Sequence, residues 1–242
     1  MNEVLGAFGR ALRSLSRPSM FWHLIWPTLA AIVVWAVLGW LYWEPVSTTM
    51  LEWFHRWPWL EGIMNSTQFL SVAALATAHV FLALLFVPLV YATALMLVAL
   101  VALPLMLERV GATEYPDLER RKGGTLAGSV VNALWAFIVY LLAWLVTLPL
   151  WLIPGFGLVA PVVLAAYLSQ RAYRYDALME HADATELQTV VERERSGLWM
   201  VGVISGLLAY VPLLNLVVPA YSGLTFVHYC LGSLRRLRGQ GR

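Results

Sequence analysis

Asp, Glu, Lys and Arg are missing from four long stretches of this chain: Pro18–Trp43, Gly62–Leu107, Gly123–Gln170 and Gly197–Leu234. Each exceeds the ~20 residues that cross a hydrocarbon core. Charged residues make up only 12% of the chain, against about a quarter in a soluble domain of ordinary composition. These absences exclude a soluble fold and predict a polytopic α-helical membrane protein. The stretches also lack the polar–apolar alternation of a membrane β-barrel. No acidic side chain lies within them to carry protons, which argues against carboxylate-driven proton coupling. Cys230 is the single cysteine, so no intrachain disulfide forms. There is no GxSxG, HExxH, P-loop or CxxC, and the five histidines lack metal-ligand spacing, so no enzyme, metal or cofactor is expected.

What is present is a repeat. Ile153-Pro154-Gly155-Phe156-Gly157-Leu158-Val159-Ala160-Pro161 is echoed by Val211-Pro212-Leu213-Leu214-Asn215-Leu216-Val217-Val218-Pro219. Each copy sits inside an uncharged stretch. Breaks at membrane depth are tolerated only where the backbone is buried in protein or lines a wet cavity. Pro161 and Pro219 are placed to begin half-helices whose free first-turn N–H groups and positive dipole ends face the break. Paired discontinuous helices hold anionic groups this way without a buried cation. Gly155, Gly157 and Asn215 fit the turns because they accept left-handed backbone. The bland alternative is a pair of tight turns packed on neighbouring helices.

Basic residues set the topology. If the first two stretches cross once each and the last two enter and return, all 16 basic residues except Arg56 are cytoplasmic. A second stretch crossing twice would put most of them outside, against the positive-inside tendency. The excess length of that stretch becomes bent helix, with Pro88 and Pro104 as kinks. The basic face suits anionic lipid, and its short, separated clusters make nucleic acid a poor partner.

The resulting plan has seven parts in one membrane domain. Residues 1–17 form an amphipathic interfacial helix, with Val4, Leu5, Phe8, Leu12 and Leu15 opposite Arg10, Arg13 and Arg17. Residues 18–43 are the first crossing, kinked at Pro27, followed by an external segment whose Trp53, Trp57 and Trp59 form an aromatic belt with Trp43. Residues 66–107 are the second crossing with its bent extension. Residues 123–170 are the first re-entrant pair, 171–196 a cytoplasmic helix, 197–234 the second re-entrant pair and 235–242 a basic tail. Limbs of about 15 residues reach only about 22 Å, short of a core of about 30 Å, which favours half-penetrating pairs over full hairpins. Polar candidates in the apolar stretches are His23, Gln68, His79, Asn132, Asn215 and His228, the histidines being read as hydrogen-bonded packing. Gly202 and Gly206 form a GxxxG step that favours close helix contact or self-association.

The two proline segments, together with Ser16-Arg17-Pro18 and Pro27, resemble the CysZ-type sulfate permeases and their wider family with the eukaryotic etoposide-induced membrane protein. The likeness spans roughly residues 5–235. It implies two true crossings plus two half-penetrating helix pairs, a homo-oligomer in the bacterial inner membrane, and sulfate uptake for cysteine synthesis. Sulfate permeases carry a Gly and paired arginines just after the first proline, where this chain has Ser19, Met20, Phe21 and Trp22. The strongest bidentate partners for sulfate are therefore absent. The candidate binding set is Arg17 and Ser19 at the first-helix start with Gly155, Gly157, Pro161, Asn215 and Pro219 at the apices. A non-transporting membrane scaffold or assembly protein of the same fold is the alternative.

Overall fold

In the computed structural model the described residues are 1–57, 62, 68–153, 155–211, 214 and 217–240. Among them all regular structure is helical: α1 (Asn2–Leu15), α2 (Pro18–His55), α3 (Gln68–Leu97), a π-helical turn (Val98–Ala102), α4 (Leu103–Glu114), α5 (Leu126–Thr147), a 3-10 turn (Leu148–Leu152), α6 (Phe156–Leu178), α7 (Ala184–Arg193), α8 (Arg195–Leu208) and α9 (Val218–Gln240). The chain divides into two compact units, residues 25–98 and residues 1–24 with 99–242.

Among the described residues two segments are long and apolar enough to cross a membrane: Pro18–Met50 and Leu126–Leu152, with mean hydropathies of 2.0 and 2.1. A soluble protein's core helix would be mostly buried, whereas only 12% and 6% of their apolar windows are. Their side chains are left for lipid or for another chain.

In the unit of residues 25–98, α2 and α3 run antiparallel. Trp35 Nε1 donates to Thr93 Oγ1 at 2.9 Å, its ring meets Phe86 edge-on at 5.8 Å, and Trp43 lies 5.9 Å from His79. The first crossing was expected to end at Trp43, but α2 continues through Pro45 to His55. The hydroxyls of Ser47, Thr48 and Thr49 bond carbonyls one turn back, at Glu44 and Pro45, so the polar extension is satisfied within the helix. Along the second stretch, Pro88 sits inside α3 without interrupting it. The break comes at Val98–Ala102, just before Pro104. A proline removes the donor for the carbonyl four residues back, and a π turn is a local way to re-satisfy the backbone.

The other unit is built around α9. From Ser222 to Leu231 every side chain is buried, with Leu224, Phe226, Cys230 and Leu231 fully so; α1, α4, α6 and α8 pack on it. The apolar stripe of α1, expected to meet lipid, is taken by protein. Val4, Ala7, Phe8, Ala11 and Leu15 are buried, the Phe8 ring lies tilted against Tyr221 at 5.7 Å, and Tyr221 donates to the Phe8 carbonyl. Only Leu5 and Leu12 of the predicted face stay outside, each 59% exposed.

The limbs α5, α6, α8 and α9 alternate in direction. Asn132 on α5 donates to the Arg171 carbonyl on α6, near the start of one and the end of the other. A Cβ on Gly202 would lie 2.8 Å from the Ala166 carbonyl, and one on Gly206 3.2 Å from that of Val162, so α8 ascends as α6 descends. The GxxxG step thus serves a contact within the chain. Tyr229 on α9 donates to Glu194 just before α8 at 2.5 Å. Each limb therefore has one end at a charged pole and the other at the proline breaks, and the two breaks share one pole.

Two boundaries differ from expectation. The first re-entrant pair was expected to end at Gln170, but α6 runs unbroken past Arg171 to Leu178. At 23 residues it is about 34 Å long, and α5 at 22 residues about 33 Å. Helix length alone does not make this pair half-penetrating. The expected single helix of residues 171–196 is split into the end of α6, a turn, α7 and the start of α8. Asp183 and Glu186 form a reciprocal capping box that starts α7, which separates it from α6. Tyr173, Leu178 and Val190 face protein: Tyr173 meets Phe226 at 5.6 Å, and the other two are buried.

Because the α6–α8 contact is backbone to backbone, Gly202→Ala must push the helices apart. It is expected to destabilise the purified protein by about 1–3 kcal/mol, read as a lower thermal midpoint in detergent. Gly9→Ala, where nothing lies within 4 Å, should not. Equal midpoints for Gly202→Ala and wild type would refute the close contact.

Candidate functional site

At the first apex the chain leaves α5 through Leu148–Leu152, passes Ile153 in extended conformation and turns at Gly155, whose φ of 86° is left-handed. Glycine is the residue that adopts this backbone without a Cβ penalty. Pro161 was expected to begin the following helix. It does not: α6 starts at Phe156, and Pro161 lies inside it. A proline there removes the helical donor to the Gly157 carbonyl, so the apex gains a spare acceptor. Its amides are less free than expected. Phe156 N–H bonds the Ile153 carbonyl at 3.1 Å, and those of Leu158 and Val159 share the Gly155 carbonyl. At the second apex Pro219 falls in the first turn of α9, as expected. Asn215, like Pro154 and Pro212, lies outside the described residues.

Two donors near this pole were not singled out in the sequence. Trp151 Nε1 and Ser205 Oγ are buried and have no hydrogen-bond partner among the described residues. Unsatisfied buried donors are costly and rare. Trp151 could not be told from the other tryptophans by composition. Ser205 carries a faint signal, lying beside Gly206 on the helix face that crosses α6. Around the donors the pole is apolar and open, with Leu152 89%, Ile153 54% and Tyr210 52% exposed.

The first-helix start is a different environment. Ser19 is exposed, and its carbonyl accepts from His23 Nδ1 at 2.5 Å. Arg17 is half-exposed and pairs with Glu114 Oε1 at 3.0 Å. Glu114 belongs to a buried chain of polar groups. Ser14 Oγ lies 2.7 Å from Glu114 Oε1 and 3.0 Å from His228 Nε2. His228 Nδ1 is 3.1 Å from the Tyr115 hydroxyl. The Nε2–H tautomer satisfies all of these: Tyr115 donates to His228, His228 to Ser14, and Ser14 to the carboxylate. Burial pushes the Tyr115 phenol up, while Arg10 and then Arg235 pull it down. His228 is thus packing by hydrogen bond, as expected. The roles of Glu114 and Tyr115 were hidden because their partners lie about a hundred residues away in the chain.

The rest of the charged pole is a lattice of ion pairs. Arg238 holds Glu186 at 2.9 Å and donates to the His181 carbonyl at 2.7 Å; Arg121 reaches the same Glu186 at 2.9 Å. Arg235 pairs with Asp117 and lies over the Tyr115 ring at 4.6 Å. The Arg238 hydrogen bonds hold Glu186 below its ordinary carboxyl range. Backbone donors of the capping box do the same for Asp183. Burial pushes the His181 imidazole down, and Arg120 adds to this. Among the described residues no group of three or more His, Cys, Asp or Glu could hold a metal ion.

Long apolar exposed helices, a charged pole and a shared pole of proline breaks define an all-helical membrane protein. The chain matches, over residues 7–219, the family described as sulfate transporter CysZ/etoposide-induced protein 2.4. It belongs to that family. No curated protein and no solved structure shows significant similarity to it.

Because Glu186 and Asp183 titrate below their ordinary values, their stabilisation is complete above about pH 5. It is lost as pH falls through the folded values. The thermal midpoint of the solubilised protein should therefore fall as pH drops below about 4.5. Arg238→Gln should flatten that slope; an unchanged slope in this variant would contradict the assignment.

Proposed function

We propose that this protein is an inner-membrane permease, or channel-like protein, for a small inorganic anion. Sulfate, on the way to cysteine synthesis, is the first candidate. The observation that carries the reading is the left-handed turn at Gly155 with the buried donors Trp151 Nε1 and Ser205 Oγ, which have no partner among the described residues, on the side where the limbs turn back. Family membership supplies the transport class. The proposed topology puts both termini and the charged pole on the cytoplasmic side, following the positive-inside tendency. The two helix pairs enter and return, and α1 lies at the interface with Leu5 and Leu12 toward lipid. The exposed apolar faces of α2 and α5 meet lipid and neighbouring copies in a homo-oligomer. Arg17 and Ser19 are the cytoplasmic binding element, Gly155, Gly157, Pro161, Asn215 and Pro219 shape the path, and no chemistry is performed.

A second reading has specific support. Glu114 pairs with Arg17, the cation nearest in sequence to the position where the resemblance puts sulfate, which favours a non-transporting scaffold of the same fold. Breaking that pair separates the two. Glu114→Gln leaves Arg17 unpaired and is expected to cost about 1–2 kcal/mol, discounted because Arg17 is half-exposed. It should raise sulfate binding if Arg17 is a binding element, and leave it unchanged in a scaffold.

The main test is labelled sulfate uptake into liposomes containing the purified protein. Wild type should exceed empty liposomes. Trp151→Phe with Ser205→Ala should lower uptake by about tenfold through loss of the free donors, as should Gly155→Val through strain at the turn. Wild-type flux equal to that of empty liposomes would sink sulfate permeation and leave the scaffold.

A further inference from the structure

At the charged pole, away from both the apices and the Arg17 corner, two adjoining open clefts of about 320 and 310 Å³ share Arg171, Arg174, Val191 and Glu192 as walls. One is completed by Asn132 and Tyr175, the other by Tyr167, Gln170, Arg195 and Trp199. The cleft is built, not accidental. Gln170 is only 4% exposed, and its Oε1 accepts from Arg174 Nη1 at 2.9 Å, fixing that guanidinium. Asn132 Nδ2 donates to the Arg171 carbonyl at 2.9 Å, anchoring the turn of α6 that carries the first arginine. Tyr167 and Trp199 meet at 6.4 Å and close one wall.

Its three arginines stand outside the ion-pair lattice. Arg121, Arg235, Arg236 and Arg238 each hold a carboxylate. Among the described residues no carboxylate lies within ion-pair distance of Arg171, Arg174 or Arg195. Arg171 Nε is buried and has no hydrogen-bond partner among those residues. Arg174 uses one guanidinium nitrogen on Gln170, leaving most of its five N–H donors unspent. Burial pushes the Arg174 pKa down, and the positive charge of Arg171 adds to this, with a smaller contribution from Arg195. Glu192 on the rim is exposed and pairs with none of them. Three half-buried or exposed cations with one carboxylate on the rim, and none in ion-pair contact, repel one another and carry desolvated donors. Planar guanidinium forks match the oxygens of a tetrahedral oxyanion.

We infer that Arg171, Arg174 and Arg195, with Asn132 beside them, form a binding site for a sulfate- or phosphate-type oxyanion on the flank of the α5–α6 and α7–α8 junction. The group is either free in solution or the phosphate of an anionic lipid headgroup, since basic pockets at this level of a membrane protein suit both chemistries. The site is independent of permeation, because it lies at the other end of α6 and α8 from the breaks.

Two arms separate the sources. The full-length protein in phosphatidylcholine nanodiscs is titrated calorimetrically with sulfate and with inorganic phosphate. In parallel, protein equilibrated with phosphatidylglycerol is examined by native mass spectrometry for retained lipid. Saturable binding in the first arm identifies a free oxyanion; retention of phosphatidylglycerol in the second identifies a headgroup. In whichever arm binds, Arg174→Gln with Arg195→Gln should weaken it at least about tenfold, since each charge-assisted hydrogen bond is worth on the order of that factor. Glu192→Gln should tighten it several-fold by removing a repelling carboxylate. Arg235→Gln, at the same pole but paired with Asp117, should leave it unchanged, and a negative flux experiment does not bear on this site. The thermal midpoint of the Arg174, Arg195 double variant should hold or rise, because self-repulsion is relieved. Binding in neither arm, or binding that the double variant leaves intact, overturns the inference. Should the double variant fail to fold, Glu192→Gln decides: no tightening overturns it as well.

Discussion

Helix α9 has no face left for lipid, and the organisation of its unit follows from that. It carries Ser222, Thr225, His228 and Ser233 among its buried side chains, and a polar group taken from water needs a partner inside the protein. Thr225 bonds back to the Tyr221 carbonyl. Ser233 accepts from Arg236 at 2.8 Å. His228 can be satisfied only if α1 delivers Ser14 and the end of α4 delivers Tyr115. The amphipathic N-terminus is therefore bound to the last helix by chemistry as well as by shape. The lipid-exposed burden passes outward to α5, in which Ala136 is the buried residue.

The same arrangement explains why charge is so unevenly spread. With α5, α6, α8 and α9 alternating in direction, four limb ends gather at one pole, and the sequence places its ion pairs there. The opposite pole has no charged side chain between Leu126 and Gln170 or between Gly197 and Leu234. Placing the Arg121–Glu186–Arg238 lattice in hydrocarbon would carry a prohibitive desolvation cost.

Much of this was legible beforehand. Uncharged stretches gave the helices, Gly155 the left-handed turn, Pro219 a helix start, and Gly202–Gly206 a close contact. What escaped was whatever depended on a distant partner or on competing local rules. Pro161 reads as a helix start because proline favours that position, yet Gly155, six residues earlier, turned the chain first. Arg171 reads as the end of a limb because charge marks the edge of the hydrocarbon. The helix ignores that signal, since Tyr173, Ala177 and Leu178 still have protein to pack against. The α1 stripe reads as lipid-facing because amphipathicity reports that a face is covered and says nothing about what covers it. Arg17 reads as a free cation because Glu114 is invisible from its side of the sequence.

The chemistry of the apex pole then bears on the proposed permeation. A dianion entering low-dielectric surroundings loses hydration worth several kcal/mol per charge even after relaxation. A fixed guanidinium pair would repay this with tight binding. Here the described donors are neutral, an indole N–H and a hydroxyl, and the neighbouring Gly157 carbonyl repels an anion while favouring a cation or a water. Neutral donors hold an anion more weakly than charged ones. A conducting site must bind strongly enough to admit an ion and weakly enough to release it. Neutral donors of this kind would make the interior break a low-affinity step in the proposed path.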